Sequence, residues 1–338
     1  MTWSEARPDI LGGDWVARTL DLTDASGPGA ATLVHRADAG SRPRAMVYVH
    51  GFADYFFQEQ HAQEWVDHGY DVYALDLRDH GRSIRPGRTP NWITDLRDYD
   101  TEIDAALAFV RAQGHEAVVL DGHSTGGLIT ALYVHDHPGS VDALVLNSPW
   151  FDLNASWFDR VISTRAVDRL GVLRPMTPVS SLGEAYGRSL HRDSGGEWDY
   201  YLPWKPREGF PVLAGWLRAI RRGHARLAKG LAIVVPVLVA TSGRSGHRKH
   251  PTERDLAGSD VVLDVRHMWK RAPLLGPRVR VLRIPGGRHD LTLSEPAVRE
   301  RYSAALFGWL EAADQLGPSR AVSRCVHRKA FPDGAPLQ

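Results

Sequence analysis

The sequence is poor in features that would place the protein outside the ordinary globular class. Its 338 residues include a single cysteine, Cys325, so an internal disulfide is excluded and a free thiol near the tail is expected. No apolar run approaches membrane-spanning length, and the first residues lack the charged segment and apolar core of a signal peptide. The net charge is only +1, with basic and acidic residues interspersed, so nucleic acid is not an expected partner. We therefore expect a cytoplasmic protein with no stable membrane insertion.

What the sequence does contain is a regular alternation of apolar runs and helical patterns. Apolar runs that predict strands lie at 45–49, 71–75, 117–120, 143–146, 233–240 and 279–284. Helical periodicity occurs at 58–68, 96–113, 125–137 and 295–313. This alternation predicts an α/β protein with a mostly parallel, doubly wound sheet. Before it, 16–22 and 31–35 predict an antiparallel hairpin at a sheet edge, after a loose lead-in of residues 1–13.

The alternation stops between residues 151 and 230, where aromatic residues are frequent and no strand-helix-strand repeat occurs. We interpret 151–230 as a mostly helical cap inserted between two parts of one core, 14–150 and 231–316, followed by a flexible tail at 317–338. We expect most of the cap aromatics to hold the cap together and some to face an apolar pocket. These aromatics are Trp157, Phe158, Trp198, Tyr200, Tyr201, Trp204, Phe210 and Trp216.

The most informative stretch is 118–131, in which an apolar run enters a Gly-x-Ser-x-Gly pentapeptide and continues at helical spacing. This order predicts a strand, a sharp turn and a helix, with Ser124 on the strained turn as a nucleophile. Gly122 and Gly126 supply the small residues that such a turn needs. The backbone N–H of Thr125, at the start of the helix, is free to face a developing oxyanion.

A nucleophilic serine needs a base and an acid. In folds of this kind the chain order is Ser, then Asp or Glu, then His. His289, in a Gly-Gly-Arg-His loop after the last strand, is the base candidate. Four carboxylates compete as the acid: Asp260, Asp255, Asp264 and Asp152. Asp260 is preferred because it stands immediately before the next helix, whereas Asp264 is expected on that helix, facing solvent or capping it.

A long polar loop at 241–259 precedes Asp260 and contains His247 and His250. Neither histidine has a carboxylate or cysteine at ligand spacing, so we expect a solvated loop and no metal site. Loops of this length are often functional or mobile, and this one could add a lid element beside the pocket.

Taken together, these segments resemble the α/β-hydrolase superfamily, in particular bacterial monoacylglycerol lipases and lysophospholipases, also described as serine aminopeptidase-like hydrolases. The resemblance covers residues 40–312. It rests on His50-Gly51, the loop 76–83, Gly122-His123-Ser124-Thr125-Gly126-Gly127, Ser148-Pro149-Trp150, Asp260 to Asp264 and Gly286-Gly287-Arg288-His289. One departure stands out, because the family's short Gly-x-x-Asp turn after the strand is replaced here by about twenty residues.

The resemblance implies an eight-stranded sheet and a triad of Ser124, Asp260 and His289. It also implies oxyanion donors at the N–H groups of Phe52 and Thr125, supported by His50, Gly51 and His123. The implied reaction is hydrolysis of a small acyl ester, such as a monoacylglycerol or lysophospholipid, with no cofactor or metal. Dehalogenase chemistry is excluded because it would need Asp in place of Ser124.

Two other functions stay open from the sequence. An aminopeptidase or amidase would use the same triad and would need paired cap carboxylates to hold a substrate amine; the candidates are Glu184, Asp193, Glu197 and Asp199. A non-catalytic ligand-binding homologue is disfavoured because no triad member has been lost. The physiological substrate and the oligomeric state are not determined by the sequence.

Overall fold

The computed structural model describes residues 2–153, 164–181 and 183–315. Strands of the main sheet are β1 (Arg7–Pro8), β2 (Trp15–Asp24), β3 (Gly27–Arg36), β4 (Arg44–Val49), β5 (Tyr70–Asp76), β6 (Ala117–His123), β7 (Ala143–Asn147), β10 (Val237–Ser242) and β11 (Val279–Ile284). A separate antiparallel pair is formed by β8 (Pro178–Ser180) and β9 (Val212–Leu213). The described helices are α1 (Glu59–Asp67), α2 (Asp100–Ala112), α3 (Thr125–Asp136), α4 (Thr164–Leu173), α5 (Ala185–Leu190), α6 (Ala214–Leu227), α7 (Glu253–Gly258), α8 (Val265–Arg271) and α9 (Pro296–Gln315).

The main sheet has the strand order β1-β2-β3-β5-β4-β6-β7-β10-β11. The strands from β5 to β11 in this order are parallel, and β1, β2 and β3 are antiparallel. This confirms the predicted mostly parallel, doubly wound sheet. Eight strands lie from β2 to β11, and β1 adds a short ninth at the edge.

Side chains alternate between two cores on opposite faces of the sheet, as the pleat requires. Leu144 belongs to the core beneath α2 and α3, whereas the next residue, Val145, belongs to the core beneath α1 and α9. Burial on both faces explains why the parallel strands consist of continuous apolar residues. The carboxyl ends of these strands therefore meet at one edge, where a site can be assembled.

The predicted loose lead-in is wrong for the described residues 2–13. β1 pairs with β2, and the buried carboxylate of Asp9 accepts a 2.6 Å hydrogen bond from Arg82. Arg82 in turn lies 2.8 Å from the carboxylate of Asp76, so a buried guanidinium holds the lead-in against the core. The sequence offers no local signal for this pairing, because the partners are 73 residues apart.

Between β7 and β10 the chain leaves the sheet and forms α4, the β8–β9 pair, α5 and α6. α6 packs on α3, and a Cβ at Gly223 would meet the side chains of Leu96, Leu128 and Leu132. The described residues of this segment thus include helices and a short antiparallel pair, and a mostly helical cap with the bounds 151–230 stays a prediction. Trp157, Phe158 and the tail at 317–338, including Cys325, lie outside the described residues.

Two local predictions differ from the structure. The strand predicted at 233–240 begins only at Val237, because Pro236 has no N–H to contribute to the ladder. The loop predicted at 241–259 contains α7, which starts with a capping box between Thr252 and Asp255. None of the described helices combines the length and the apolarity needed to cross a membrane.

Candidate active site

Ser124 occupies the sharp turn between β6 and α3, with φ 53° and ψ −112°. Few residues with a side chain adopt this conformation, so the surrounding contacts must enforce it. The Ser124 N–H donates to the carbonyl of Asn147 at 3.0 Å, and its carbonyl accepts from the Trp150 N–H at 2.9 Å. A Cβ at Gly126 would collide with the carbonyls of Val49 and His50. The turn is therefore held by backbone packing against two neighbouring strands.

The imidazole of His289 lies between the serine and a carboxylate. Its Nε2 is 3.0 Å from Ser124 Oγ, and its Nδ1 is 2.9 Å from Asp260 Oδ2. Because a carboxylate accepts, Nδ1 carries the proton, which leaves the Nε2 lone pair facing the serine hydroxyl. Ser124 is 9% exposed, His289 is 4% exposed and Asp260 is fully buried. The arrangement can remove a proton from Ser124 in a largely dry environment.

Asp260 is oriented by its own loop. Its Oδ1 accepts the N–H groups of Val262 at 2.9 Å and Leu263 at 2.7 Å, which leaves Oδ2 for His289. Its backbone pairs with Ser245 in an isolated parallel bridge. The extra residues between strand and acid therefore form an excursion that closes at its base. Asp260 thus lies beside a residue only three positions past the end of β10.

The three competing carboxylates have other partners. Asp255 caps α7 and Asp264 caps α8, as expected for Asp264. Each is also paired with an arginine: Asp255 with Arg244 (2.9 Å), Asp264 with Arg266 (2.7 Å) and Asp152 with Arg271 (2.5 Å). Only Asp260, among the four candidates, contacts His289 in the described structure.

The two predicted oxyanion donors flank the serine. Within the described part of the chain, the N–H groups of Phe52 and Thr125 have no hydrogen-bond acceptor. His50 fixes the loop before Phe52, because its Nδ1–H donates to the Gly51 carbonyl at 2.8 Å and its Nε2 accepts the Leu77 N–H at 3.0 Å. The loop approaches closely, since a Cβ on Gly51 would lie 3.1 Å from Ser124 Cβ.

Sequence reasoning missed the residue that supports this loop from the side. Ala53 has a φ of 51°, an unusual value for a residue with a side chain, and its N–H donates to Asn91 Oδ1. Asn91 also donates to the Asp79 carbonyl, so its amide is fixed at both ends. An isolated Asn in a Pro-containing loop gives no signal of this role.

Asp290, the residue after His289, was also missed. Its buried carboxylate accepts from Asn147 Nδ2 at 2.8 Å, Thr292 Oγ1 at 2.7 Å and Gln58 Nε2 at 3.1 Å. Burial acts to raise its pKa, but the nearby His123 and the hydrogen bonds from Thr292 and Asn147 outweigh that effect and lower the pKa to about 2. The ionised Asp290 carboxylate therefore anchors the loop that carries His289 to Asn147 at the end of β7 and to Gln58 before α1.

His123, predicted as a supporting residue, lies beside this anchor. Its Nδ1–H donates to the Asn147 carbonyl at 3.1 Å, and its ring centroid is 5.0 Å from that of His289. Burial lowers the pKa of His123.

An aromatic wall, formed by Phe52, Trp150 and Trp216, lies beside the loop that carries the Phe52 N–H. The ring of Phe52 is 4.2 Å from that of Trp216 on α6, and Trp216 is 5.8 Å from Trp150. His224, also on α6, donates from Nε2 to the Trp150 carbonyl at 2.8 Å, and burial lowers its pKa to about 4. Trp216 is buried within this wall, and the expectation that some cap aromatics face an apolar pocket stays a prediction.

Two further cap aromatics, Tyr200 and Trp204, join the cap to the core. Tyr200 packs on Phe57 at 5.0 Å, and Trp204 packs on Tyr55 at 5.3 Å. An ion pair accompanies them, with Lys205 Nζ 2.6 Å from the buried carboxylate of Asp54. Tyr200 and Trp204 therefore hold the cap against the loop that follows Phe52.

The four cap carboxylates proposed for an amine-binding role do not converge. Each is paired with a different arginine: Glu184 with Arg188 (3.4 Å), Asp193 with Arg207 (3.3 Å), Glu197 with Arg299 (2.8 Å) and Asp199 with Arg192 (2.8 Å). Across residues 2–153, 164–181 and 183–315, no group of three or more His, Cys, Asp or Glu side chains is arranged to hold a metal. His247 Nδ1 instead accepts the N–H of His250 at 3.2 Å.

Comparison with known proteins agrees with this geometry. The model of a hydrolase family described as serine aminopeptidase, S33, matches residues 41–296, which is most of the chain. The chain belongs to this family. The resemblance to the α/β-hydrolases is thereby confirmed, and the strand order and elbow described above are those of an α/β-hydrolase.

Curated relatives of this α/β-hydrolase match over shorter stretches. A monoacylglycerol lipase of Mycolicibacterium smegmatis is 33% identical over 144 residues, or 41% of this chain and 49% of that protein. Epoxide hydrolase 3 of Xenopus tropicalis is 30% identical over 116 residues, or 33% of this chain and 30% of its own length. The α/β-hydrolase thus spans half or less of the length of these relatives.

Solved structures share the fold over most of the chain. A monoglyceride lipase from Saccharomyces cerevisiae superimposes with a TM-score of 0.65 at 17% identity, covering 87% of this chain and 94% of the other. A thermostable carboxyl esterase from Bacillus coagulans gives a TM-score of 0.64 at 15% identity, covering 88% and 98%. At 15–17% identity, these matches show that the chains share a fold and nothing about a shared substrate.

Proposed function

We propose that the protein is a serine hydrolase that cleaves carboxylic esters through an acyl-enzyme. The observation that carries the proposal is the pair of hydrogen bonds at His289, 3.0 Å to Ser124 Oγ and 2.9 Å to Asp260 Oδ2. Nucleophile, base and orienting acid are thus in the relation that acyl transfer requires.

In the first half-reaction, Ser124 Oγ attacks the acyl carbonyl carbon while His289 Nε2 takes the hydroxyl proton. The carbonyl oxygen becomes an oxyanion, which the N–H groups of Phe52 and Thr125 stabilise. Asp260 stabilises the imidazolium that forms, through the hydrogen bond to Nδ1. The intermediate then collapses, His289 gives its proton to the alcohol oxygen, and the alcohol leaves.

In the second half-reaction, a water molecule attacks the acyl-Ser124 ester. His289 takes the water proton, the same donors hold the oxyanion, and collapse releases the carboxylic acid with the proton returned to Ser124. Atoms and charges balance with water as the co-substrate.

We propose a small acyl ester, such as a monoacylglycerol or lysophospholipid, as the substrate class. The aromatic wall of Phe52, Trp150 and Trp216 supports an apolar acyl group beside the serine. The match to a monoacylglycerol lipase supports the same class, although it covers only 41% of this chain.

An aminopeptidase or amidase is the second candidate, because the matching family is described as serine aminopeptidase. Recognition of a free amine would favour unpaired carboxylates near the serine. The cap carboxylates are instead neutralised by separate arginines, which favours the ester. A ligand-binding role without catalysis is disfavoured by the intact hydrogen-bonded triad geometry.

The test uses p-nitrophenyl esters of graded chain length and aminoacyl-arylamides on the wild type, Ser124→Ala and a control, Ser303→Ala. Ser303 is buried on α9 and forms no hydrogen bond with His289 among the described residues, so its substitution should leave kcat unchanged. Removal of Ser124 should lower kcat by about 10⁴ to 10⁶. Ester activity that survives in Ser124→Ala would exclude the proposal, and faster cleavage of the arylamides would favour the second candidate.

A further inference from the structure

The segment that bears His289 contacts the cap as well as the core. The N–H of Asp290 donates to the hydroxyl oxygen of Tyr186 on α5 at 3.0 Å. The Tyr186 ring also stands edge-on to the His289 imidazole, with centroids 5.9 Å apart and an interplanar angle of 79°. One cap side chain therefore touches both the base and the peptide that follows it.

A second pair of contacts fixes the cap segment that carries Tyr186. Trp198 Nε1–H donates to the Leu293 carbonyl at 3.3 Å, and Glu197 pairs with Arg299 at 2.8 Å. The guanidinium of Arg299 lies 4.8 Å over the Trp198 ring. The cap is thus attached at both ends of the turn from His289 to Leu293.

Tyr186 contacts the His289 ring itself, whereas the flanking contacts are made to Leu293 and Arg299. The rotation of an imidazole is determined by the backbone that carries it and by the groups that pack on its faces and edges. Asp260 holds only Nδ1 of His289, whereas Tyr186 fixes the next backbone N–H and closes one side of the ring. Burial, together with the charges of Asp290 and Asp260, raises the Tyr186 pKa well above 10, so the phenol stays neutral and an oxygen acceptor remains available.

We propose that Tyr186 is a positioning residue, through which the cap holds the His289 imidazole in line with Ser124. The inference rests on the proposed serine chemistry and adds to it that the base is competent only while α5 is docked. A cap that shifts away would release the Asp290 N–H and the ring edge together, and His289 would lose its alignment without any change in the triad residues.

The variant that tests this is Tyr186→Phe, which keeps the ring and removes only the hydroxyl acceptor. Its matched control is Tyr200→Phe, because Tyr200 is in the same cap segment and its hydroxyl donates to the Gly187 carbonyl at 3.0 Å and not to the segment that bears His289. We expect Tyr186→Phe to lower kcat about tenfold and to leave KM within twofold. The Asp290 N–H loses its acceptor, which should disturb the alignment of His289 with Ser124 and leave substrate binding unchanged. Tyr200→Phe should change neither constant by more than twofold.

Two further measurements separate positioning from a loss of structure. The rate of Ser124 phosphonylation by a fluorophosphonate needs the same proton transfer to His289, so it should fall in parallel with kcat. Trp198→Phe removes the second hydrogen bond between the cap and this loop, the one that Trp198 donates, and it should lower kcat less than Tyr186→Phe does. Equal kcat values for wild type and Tyr186→Phe, or an equal fall in Tyr200→Phe or Trp198→Phe, would overturn the inference.

A spectroscopic readout keeps the inference distinct from the proposed function. The Nδ1 proton that His289 shares with Asp260 should give a low-field NMR signal in the wild type, and Tyr186→Phe should shift or broaden it while Tyr200→Phe does not. An unmoved signal would exclude positioning by Tyr186. Absence of phosphonylation at Ser124 in the wild type would instead reject the serine hydrolase proposal alone.

Discussion

The serine side and the histidine side of the site are held in place by different forces. Ser124 is fixed by backbone packing between consecutive elements, β6 and α3, and by the close approach of β4 at Gly126. His289 is fixed by side-chain hydrogen bonds from distant positions, of which the Asp260, Asn147 and Tyr186 contacts are separated by 29, 143 and 104 residues along the chain. Asn147 and Tyr186 act through the neighbouring Asp290.

The difference predicts how each side fails. A side that depends on packing tolerates no added atom, because the backbone must move to make room. A side that depends on hydrogen bonds keeps its fold when a donor or acceptor changes but loses its alignment or its charge balance. Substitutions on the serine side should therefore alter stability and activity together, and those on the histidine side should separate them.

The largest effect is expected for Asp260→Asn. The amide can still accept the N–H groups of Val262 and Leu263, so the fold should be retained, but it no longer stabilises the imidazolium or selects the Nδ1–H tautomer. We expect kcat for an ester to fall by about 10⁴ with an unchanged melting temperature. The control is Asp152→Asn, because the Asp152 carboxylate pairs with Arg271 and not with His289. A loss below tenfold would show that another carboxylate orients His289.

Asp290→Asn tests the anchor of the histidine loop. The two carboxylate oxygens of Asp290 accept hydrogen bonds from three side chains. An asparagine has one side-chain oxygen, so its NH₂ group would face at least one of these donors. We expect a loss of about 2–4 kcal/mol in the free energy of unfolding at pH 7, measured in urea. Because the folded pKa of about 2 lies below the unfolded one, this difference should be present above pH 4 and shrink as the pH falls toward 2. A difference below 1 kcal/mol at pH 7 would contradict the assigned role.

Gly126→Ala tests the steric hold on the serine. The new Cβ would collide with the carbonyls of Val49 and His50, so β4 or α3 must move. We expect about 1–3 kcal/mol of destabilisation, accompanied by a fall in kcat because Ser124 moves with α3. Gly308→Ala on α9 is the control, because a Cβ there meets nothing within 4 Å and should be neutral or stabilising. Full activity in Gly126→Ala would remove the distinction between the two sides.

The smallest effect concerns the cap's contact with the serine side. His224 is buried and neutral, with a pKa of about 4, so folding opposes its protonation. Its contribution to stability is complete above the unfolded pKa of about 6.5 and is lost as the pH falls toward 4, by about 1–2 kcal/mol between pH 7 and pH 5. His224→Gln keeps a donor for the Trp150 carbonyl and cannot titrate, so urea unfolding should show a weaker pH dependence in this variant. An equal pH dependence in variant and wild type would assign the acid sensitivity to other groups.

The same contrast explains what the sequence could predict. The elbow at Ser124 is local, so its strand, glycines and helix appear consecutively, and the sheet follows from the alternation of apolar runs. His289 follows from a glycine-flanked loop after the last strand. The contact of Asp260 with His289 was expected from its place before α8, even though the length of the loop before it departed from the family pattern.

Contacts between distant residues left no signal. Asp9 with Arg82, Asn91 with Ala53, and Tyr186 with Asp290 are each separated by tens of residues, and none of these residue types is unusual where it stands. The lead-in was predicted to be loose for the same reason, since its two-residue strand is too short for any periodicity. Hydrogen bonds that depend on tertiary structure cannot be read from a local pattern.

The bridge between Ser245 and Asp260 has a consequence for how this chain could be altered. Because the excursion starts and ends at adjacent positions, its length is decoupled from the position of the acid, and the entropy of closing it changes only slowly with length. The segment from 247 to 258 could therefore be shortened without moving Asp260 out of register with Ser245. Because α7 lies in this segment and contacts α5, which carries Tyr186, such a change should act on the cap and not on the position of Asp260.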